Sequence, residues 1–145
     1  MCRKEFFTNR KIIVTIKDLE RLKKLVSQER EFGKSRNSVE LLALEKELTR
    51  AVVVDEKDIP NHVITMNSKF TTLNLESFER INYTLVYPED ADVFEDKISI
   101  MAPIGTAVLG YGEGDILDWV VPSGVVQYQI EKIIYQPEAS GNYEL

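Results

Sequence analysis

Apolar residues in the first half of the chain recur with the period of a helix. The first run comprises Leu19, Leu22 and Val26, with Leu25 beside them. Spacings of three and four place these side chains on one face, which predicts an amphipathic helix over residues 17–32. Thr15 followed by Asp18 resembles an N-terminal capping box, and Gly33 is a natural residue for the C-terminal end of the helix.

A second run with the same period follows a short polar turn. It comprises Leu41, Leu44, Leu48 and Ala51. Asn37 and Glu40 form a second capping pair, so a helix is predicted over residues 38–51. Because the turn between the two helices is short, we expect an antiparallel hairpin whose leucine faces pack together as a short coiled coil.

Beyond Asn61 the pattern changes to alternation of apolar and polar residues, which is the period of a strand. Three strands are predicted near residues 63–66, 69–75 and 79–87. Further strands are predicted in the segments KISIMAP, ILDWVVP and GVVQYQIEKIIY, and a very short one at residues 12–14. Pro103 and Gly110 enclose one or two helical turns. The predicted fold is α+β, with a helical hairpin in front of an antiparallel sheet of five or six strands crossed by one short helix.

The composition predicts one domain, or one domain with an appendage. The chain has 145 residues, 43% of them hydrophobic, and no apolar run approaches the length of a membrane span. The single cysteine, Cys2, cannot form an internal disulfide. We therefore expect a cytoplasmic monomer without a membrane partner.

Charge is distributed unevenly along the chain. Residues 1–36 contain eleven Lys or Arg and five Asp or Glu, a net charge of +6, whereas residues 37–145 carry a net charge of −12. The basic face of the first helix contains Lys17, Arg21 and Lys24. This face could orient the protein on a large charged partner, or it could be an ordinary solvated surface, and the sequence leaves both interpretations open.

The sequence offers few residues for catalysis or metal binding. His62 is the only histidine, and with one cysteine it cannot build a histidine–cysteine metal cluster. The glycines of the segment GYGEG follow a predicted helix and precede a strand, which is the reverse of the order in a dinucleotide-binding loop. We therefore expect a binding module and not an enzyme, with no catalytic residue, no metal site and no cofactor.

Four segments resemble signatures of the Rnk family of Gre-like transcription factors. They are HVITMNS, TLVYPEDAD, ISIMAPIGTAVLGYGEGD and YQPEASGNY. The resemblance covers about residues 12–145, and it implies an FKBP-like domain over 55–145, a helical hairpin over 12–54 and an N-terminal extension over 1–11. It also implies binding to bacterial RNA polymerase at the secondary channel.

The resemblance further implies a docking loop. In Gre-like proteins the matching segment lies in the region that contacts the polymerase, and here it comprises Met101, Ala102, Pro103, Ile104 and Gly105. Its contribution would be a rigid proline edge and backbone groups. In the alternative interpretation, Pro103 and Gly105 only begin the small helix, and the residues after them pack the core.

The hairpin tip departs from the Gre pattern. Gre factors carry a longer hairpin whose acidic tip helps to hold a metal ion at the polymerase active site. The corresponding residues here are Glu29, Glu31, Phe32, Lys34 and Arg36, without the Gre acidic motif. Neighbouring cations compete for the carboxylate oxygens. We therefore expect a protein that occupies the channel in competition with Gre factors and does not stimulate transcript cleavage. The resemblance also implies an influence on nucleoside diphosphate kinase levels.

Three other functions stay open at this point. The first is transcript cleavage of the Gre type. The second is peptidyl-prolyl isomerisation in an aromatic pocket, for which the candidates are Tyr111, Trp119, Tyr128 and Tyr135. The third is direct nucleic-acid binding through the basic helix, which the acidic remainder of the chain disfavours, so we expect no sequence-specific contact with nucleic acid.

Overall fold

Two short parallel strands join the ends of the N-terminal helical segment. The computed structural model describes residues 12–33, 39–121 and 124–143. The elements of the segment are β1 (Ile13–Thr15), α1 (Ile16–Phe32), α2 (Val39–Arg50) and β2 (Val52–Val54). Strand β1 pairs in parallel with β2, so the chain leaves the hairpin beside the point where it entered.

Helix α1 begins one residue before the predicted start and ends at the predicted residue, and both of its ends are held by local hydrogen bonds. The Thr15 hydroxyl accepts a hydrogen bond from the Asp18 amide at 3.1 Å, which confirms the N-terminal cap. At the other end, the Gly33 amide donates to the Glu29 carbonyl at 2.9 Å. Gly33 is extended and not left-handed, but a side chain there would approach a Glu29 carboxylate oxygen to 2.0 Å.

Helix α2 packs its predicted leucine face inward. Leu41 and Leu44 are fully buried, and Leu48 is nearly so. An ion pair of 2.6 Å between Arg30 and Glu45 joins the exposed sides of the two helices. The predicted cap at Asn37 lies outside the described residues.

The second half of the chain forms a five-stranded sheet and one short helix. These elements are β3 (Lys69–Asn74), β4 (Arg80–Val86), β5 (Lys97–Ser99), α3 (Pro103–Val108), β6 (Ile116–Val121) and β7 (Gly124–Tyr135). The strand order is β5-β4-β3-β7-β6, and every pair is antiparallel except β4 with β5. The predicted β6–β7 hairpin is confirmed by the pairing of Val121 with Gly124, although its turn residues lie outside the description.

The predicted strand near 63–66 is wrong. Val63 makes one isolated bridge to Gly112, and the chain then turns. The turn forms because the Thr65 amide donates to the Ser68 hydroxyl at 2.9 Å, and Asn67 adopts a left-handed φ of 68°. These local bonds replace the ladder that an alternating pattern normally predicts.

One hydrophobic core spans both halves of the molecule. It includes Leu22 and Leu44 from the helices, Phe70 and Leu85 from the sheet, and Leu109 after α3. The helices pack on the sheet domain through this core. The domain boundary predicted between residues 54 and 55 stays a prediction. None of the described helices is both long enough and apolar enough to cross a membrane.

Candidate docking surfaces

The loop from Met101 to Gly105 connects edge strand β5 to helix α3. Pro103 is the exposed member of the loop, and it occupies the first turn of α3 as predicted. Met101 and Ile104 are half-buried against the core. The loop therefore presents a proline edge whose apolar neighbours are anchored from behind.

Gly105 has a structural role in this loop. A Cβ at this position would lie 2.0 Å from the Ser99 carbonyl oxygen, so only glycine allows α3 to approach β5 this closely. The same carbonyl accepts a hydrogen bond from the Ala102 amide at 3.0 Å. The Thr106 hydroxyl donates to the Ile100 carbonyl at 2.7 Å. These contacts form the loop within the protein itself, before any partner is bound.

Strand β5 lies at the edge of the sheet, and residues on either side of it in the chain occupy the backbone groups on its unpaired side. Asp92 and Lys97 exchange two backbone hydrogen bonds of 3.0 and 2.9 Å, and the Ser99 carbonyl is used by Ala102. Because these outward groups are occupied, β5 is protected against pairing with another strand. Recognition at this edge must therefore use side chains and loops.

The described part of the hairpin tip contains Glu29, Glu31 and Phe32, whereas Lys34 and Arg36 lie outside the described residues. Glu29 is half-buried beside Gly33, and Glu31 is exposed. Residues two apart on a helix do not face each other, so these two carboxylates are not arranged to chelate one cation. Phe32 exposes 85% of its surface at the end of α1.

No metal centre is assembled elsewhere in residues 12–33, 39–121 and 124–143. Within those ranges, no three side chains of His, Cys, Asp or Glu are grouped so that they could hold an ion.

The basic residues of α1 divide into two environments. The Lys17 ammonium donates to the Tyr143 carbonyl, and the Lys17 backbone amide donates to Glu56 at 3.0 Å. Arg21 instead stacks on Tyr87, with its guanidinium carbon 4.1 Å from the ring centre. Lys24 is exposed near Arg21. Lys17 thus holds the C-terminal tail, while Arg21 and Lys24 lie along the junction of α1 with the end of β4.

Asp18 is a buried carboxylate that sequence reasoning treated only as part of a helix cap. Its side chain accepts a hydrogen bond from the Met66 amide at 3.2 Å, which joins the start of α1 to the turn before β3. The pKa of Asp18 is raised to about 6, mainly by burial and to a smaller extent by the nearby Glu138 carboxylate. Glu138 in turn accepts from the Thr65 hydroxyl at 2.7 Å.

The opposing influences on Asp18 are weaker than its burial. The Met66 hydrogen bond, Arg21 and Lys17 each lower the pKa of this carboxyl. The neighbouring Tyr87 hydroxyl is buried, with no well-formed hydrogen bond within the described part of the chain. Burial, and next the Asp18 charge, raise the pKa of Tyr87 well above its ordinary value. The junction between helix and sheet is therefore polar, buried and sensitive to protonation.

Family models match both halves of the chain. Residues 10–54 match the model described as Rnk N-terminus, and residues 59–135 match the model described as transcription elongation factor, GreA/GreB, C-term. The two matches follow each other in the order of the helical segment and the sheet domain.

Relatives of known sequence agree with these models. The regulator of nucleoside diphosphate kinase from Escherichia coli (strain K12) is 40% identical over 104 residues, which are 71% of this chain and 76% of the relative. The transcription elongation factor GreA from Clostridium botulinum (strain Alaska E43 / Type E3) is 34% identical over 110 residues, covering 72% of this chain and 69% of the relative.

A solved structure shows the same architecture. The prokaryotic transcription elongation factor GreA/GreB from Nitrosomonas europaea superposes with a TM-score of 0.73 and 39% identity, over 88% of this chain and 100% of that chain. The relatives are regulators and elongation factors by name. The resemblance seen in the sequence is thereby confirmed, and the chain belongs to the Rnk family of GreA/GreB-like transcription factors.

Proposed function

We propose that this protein binds bacterial RNA polymerase at the secondary channel and modulates transcription by occupying that channel in competition with Gre-type factors. It acts in the cytoplasm as a monomer, is not itself an enzyme, and does not stimulate transcript cleavage. Membership of the family supports the choice of partner. The geometry of the hairpin supports the absence of cleavage.

The short reach of the hairpin is the observation that carries this proposal. Helix α1 has 17 residues, which span about 25 Å at the usual rise of a helix. Its first turn does not project, because Asp18 is buried against the turn before β3. The projecting part is therefore shorter than the helix, which suits a plug at the mouth of a channel better than a probe that reaches a distant active site.

The tip chemistry supports the same conclusion. Productive assistance of a polymerase metal ion requires carboxylate oxygens that converge on one point. Glu29 lies against Gly33, and Glu31 projects from a different side of the helix. The apolar Phe32 exposes 85% of its surface at this tip.

The globular domain supplies the main attachment in this proposal. The preformed loop around Pro103 offers a rigid edge, held by Gly105 and by the hydrogen bonds to Ser99. A surface that is already ordered loses little conformational entropy when it binds, so a small loop can contribute usefully to affinity.

The decisive experiment uses backtracked elongation complexes and a Gre factor from the same bacterium. We expect no transcript cleavage with this protein alone, and inhibition of Gre-stimulated cleavage as its concentration rises. Stimulated cleavage by the purified protein would instead establish the Gre-type alternative. Absence of any association with core polymerase at physiological salt would overturn the proposal as a whole.

Two variants separate the attachment surfaces. Pro103→Ala is expected to weaken polymerase binding, and Pro60→Ala, in the segment before β3 and outside both proposed contacts, is the control. Arg36→Glu tests the hairpin tip. Equal binding by wild type and Pro103→Ala would remove the loop from the interface.

Three further expectations concern an isomerase pocket, the FKBP-like description of the sheet domain and an influence on nucleoside diphosphate kinase. An isomerase pocket is disfavoured because Tyr111 is buried in the core and unavailable to a substrate. The FKBP-like description of residues 55–145 stays a prediction. An influence on nucleoside diphosphate kinase levels is proposed because a 40% identical relative is named as the regulator of that enzyme.

A further inference from the structure

The segment before β5 carries the most exposed aromatic side chain among the described residues. Phe94 exposes 97% of its surface, and its neighbour Val93 exposes 76%. We call these two residues the Phe94 knob. Scattered apolar residues on a surface need no explanation, but a phenylalanine that contacts almost nothing in its own chain contributes little to folding.

The knob is held in a defined position. The Asp92 carboxylate accepts a hydrogen bond from the Phe94 amide at 2.9 Å, and Val93–Glu95 forms a single 3₁₀ turn. Asp96 closes this turn in the left-handed conformation, with a φ of 55°. The backbone of Asp92 then pairs with Lys97 through two hydrogen bonds. The exposure of Phe94 therefore arises from a hydrogen-bonded turn that directs its ring away from the protein.

Exposed acidic residues lie close to the knob along the chain. Three of them, which we call the acidic rim, are Asp90, Glu95 and Asp96, and Asp90 and Glu95 both act on Lys97. Lys97 is the cation among them, and it is paired with Glu95 at 3.1 Å. Nucleic acids and anionic lipids would be repelled by this rim. The complementary surface is that of a protein with an apolar pocket bordered by Lys or Arg.

The Phe94 knob and the loop from Met101 to Gly105 lie at opposite ends of strand β5. The knob precedes β5 and the loop from Met101 to Gly105 follows it, and β5 is only three residues long. Three strand residues span about 10 Å, which is well within the width of one ordinary protein–protein interface. One partner surface can therefore contact both ends of this edge strand.

We propose that the Phe94 knob inserts into an apolar pocket with a basic border on RNA polymerase, as a second contact of the globular domain beside the Pro103 loop. This inference rests on the proposed function, since it takes the same partner. The aromatic ring supplies the affinity of the contact, as buried aromatic anchors commonly do. The acidic rim accelerates association and selects the orientation.

The test compares two exposed phenylalanines that receive the same substitution. Phe94→Ser is the test variant, and Phe78→Ser is the control, because Phe78 is 69% exposed on a different loop, the turn between β3 and β4. Binding to core polymerase without nucleic acid is measured by surface-immobilised kinetics. We expect Phe94→Ser to weaken the equilibrium affinity about tenfold or more, mainly through faster dissociation, and Phe78→Ser to change it by less than about twofold.

A second variant tests the rim while leaving the ring in place. Asp90→Asn with Asp96→Asn retains the shape of the turn, since asparagine tolerates the left-handed conformation at position 96. We expect slower association with core polymerase and a weaker dependence of the association rate on salt, with little change in dissociation.

The outcomes distinguish this contact from the proposed function. If wild type binds polymerase and Phe94→Ser binds equally well, the knob proposal is overturned and the proposed function stands. If wild type does not bind, both are overturned. Self-association of the wild type that Phe94→Ser abolishes would assign the knob to a second copy of this chain and overturn its assignment to polymerase. Circular dichroism should show the same fold for all variants, because the substituted side chains are exposed.

Discussion

Because Asp18 is a buried carboxylate, we predict that the free energy of unfolding depends on pH through this residue. Its folded-state pKa of about 6 lies above the ordinary value of 3.8 because burial penalises the charged form. Between these two pH values the folded protein binds a proton that the unfolded chain does not bind. The free energy of unfolding contributed by this group is therefore largest below pH 3.8 and is lost as pH rises through 6.

The size of the effect follows from the gap between the two pKa values. That gap corresponds to about 3 kcal/mol of stability lost between acid and neutral pH, as an upper value. Asp18→Asn removes the ionisation but keeps an oxygen that can accept the Met66 amide.

The assay is urea unfolding of wild type and Asp18→Asn between pH 4 and 7.5. We expect the variant to gain about 2–3 kcal/mol relative to wild type across this range, because only the wild type loses stability through Asp18. Glu20→Gln is the control, since Glu20 is an exposed acid on the same helix. Parallel curves for wild type and Asp18→Asn would refute the reasoning, as would a difference that changes in the opposite direction.

Three further substitutions test individual structural claims through the free energy of unfolding. Gly105→Ala should lower it by about 1–3 kcal/mol, because the new methyl group meets the Ser99 carbonyl at 2.0 Å; an unchanged value would show that α3 can move away freely. Phe78→Gly should raise it by about 1 kcal/mol, since Phe78 has a φ of 62° and is 69% exposed; a loss would mean that the ring packs in solution. Thr15→Ala should lower it by about 1 kcal/mol through loss of the α1 cap, and Thr15→Ser should restore most of that amount.

Elements with local determinants could be predicted from the sequence. The sequence predicts helix α1 to within one residue, because its apolar spacing and its Thr15 cap both act within a few residues of the helix itself. The β6–β7 hairpin and the end of β4 before Pro88 were also predictable, because alternation and proline act over short distances.

Features that depend on distant residues could not be predicted in this way. The turn at 63–66 looked like a strand because its residues alternate, yet the Thr65 amide bonds to Ser68. Lys17 and Arg21 share one helical face by spacing, yet tertiary contacts assign Lys17 to the tail and Arg21 to Tyr87. The sequence does contain one indication of the Phe94 knob, which is the apolar pair Val93-Phe94 inside the acidic segment DVFED. A short apolar pair among charged residues is not part of a helix or strand pattern that would bury it.

The buried junction at Asp18 determines how the proposed docking surfaces are related to each other. Leu22 packs in the same core as Phe70, and Asp18 joins the start of α1 to the turn before β3. In the proposed complex, the hairpin would therefore be presented to polymerase in a fixed position relative to the domain that carries Pro103 and the Phe94 knob. When several contact surfaces are held in fixed positions, each can add to the affinity without a further loss of conformational entropy on binding. Burial of the Asp18 carboxylate lowers stability at neutral pH, and its hydrogen bond to the Met66 amide joins the start of the hairpin to the turn before β3. We infer that this buried contact is retained because it favours one orientation of the hairpin.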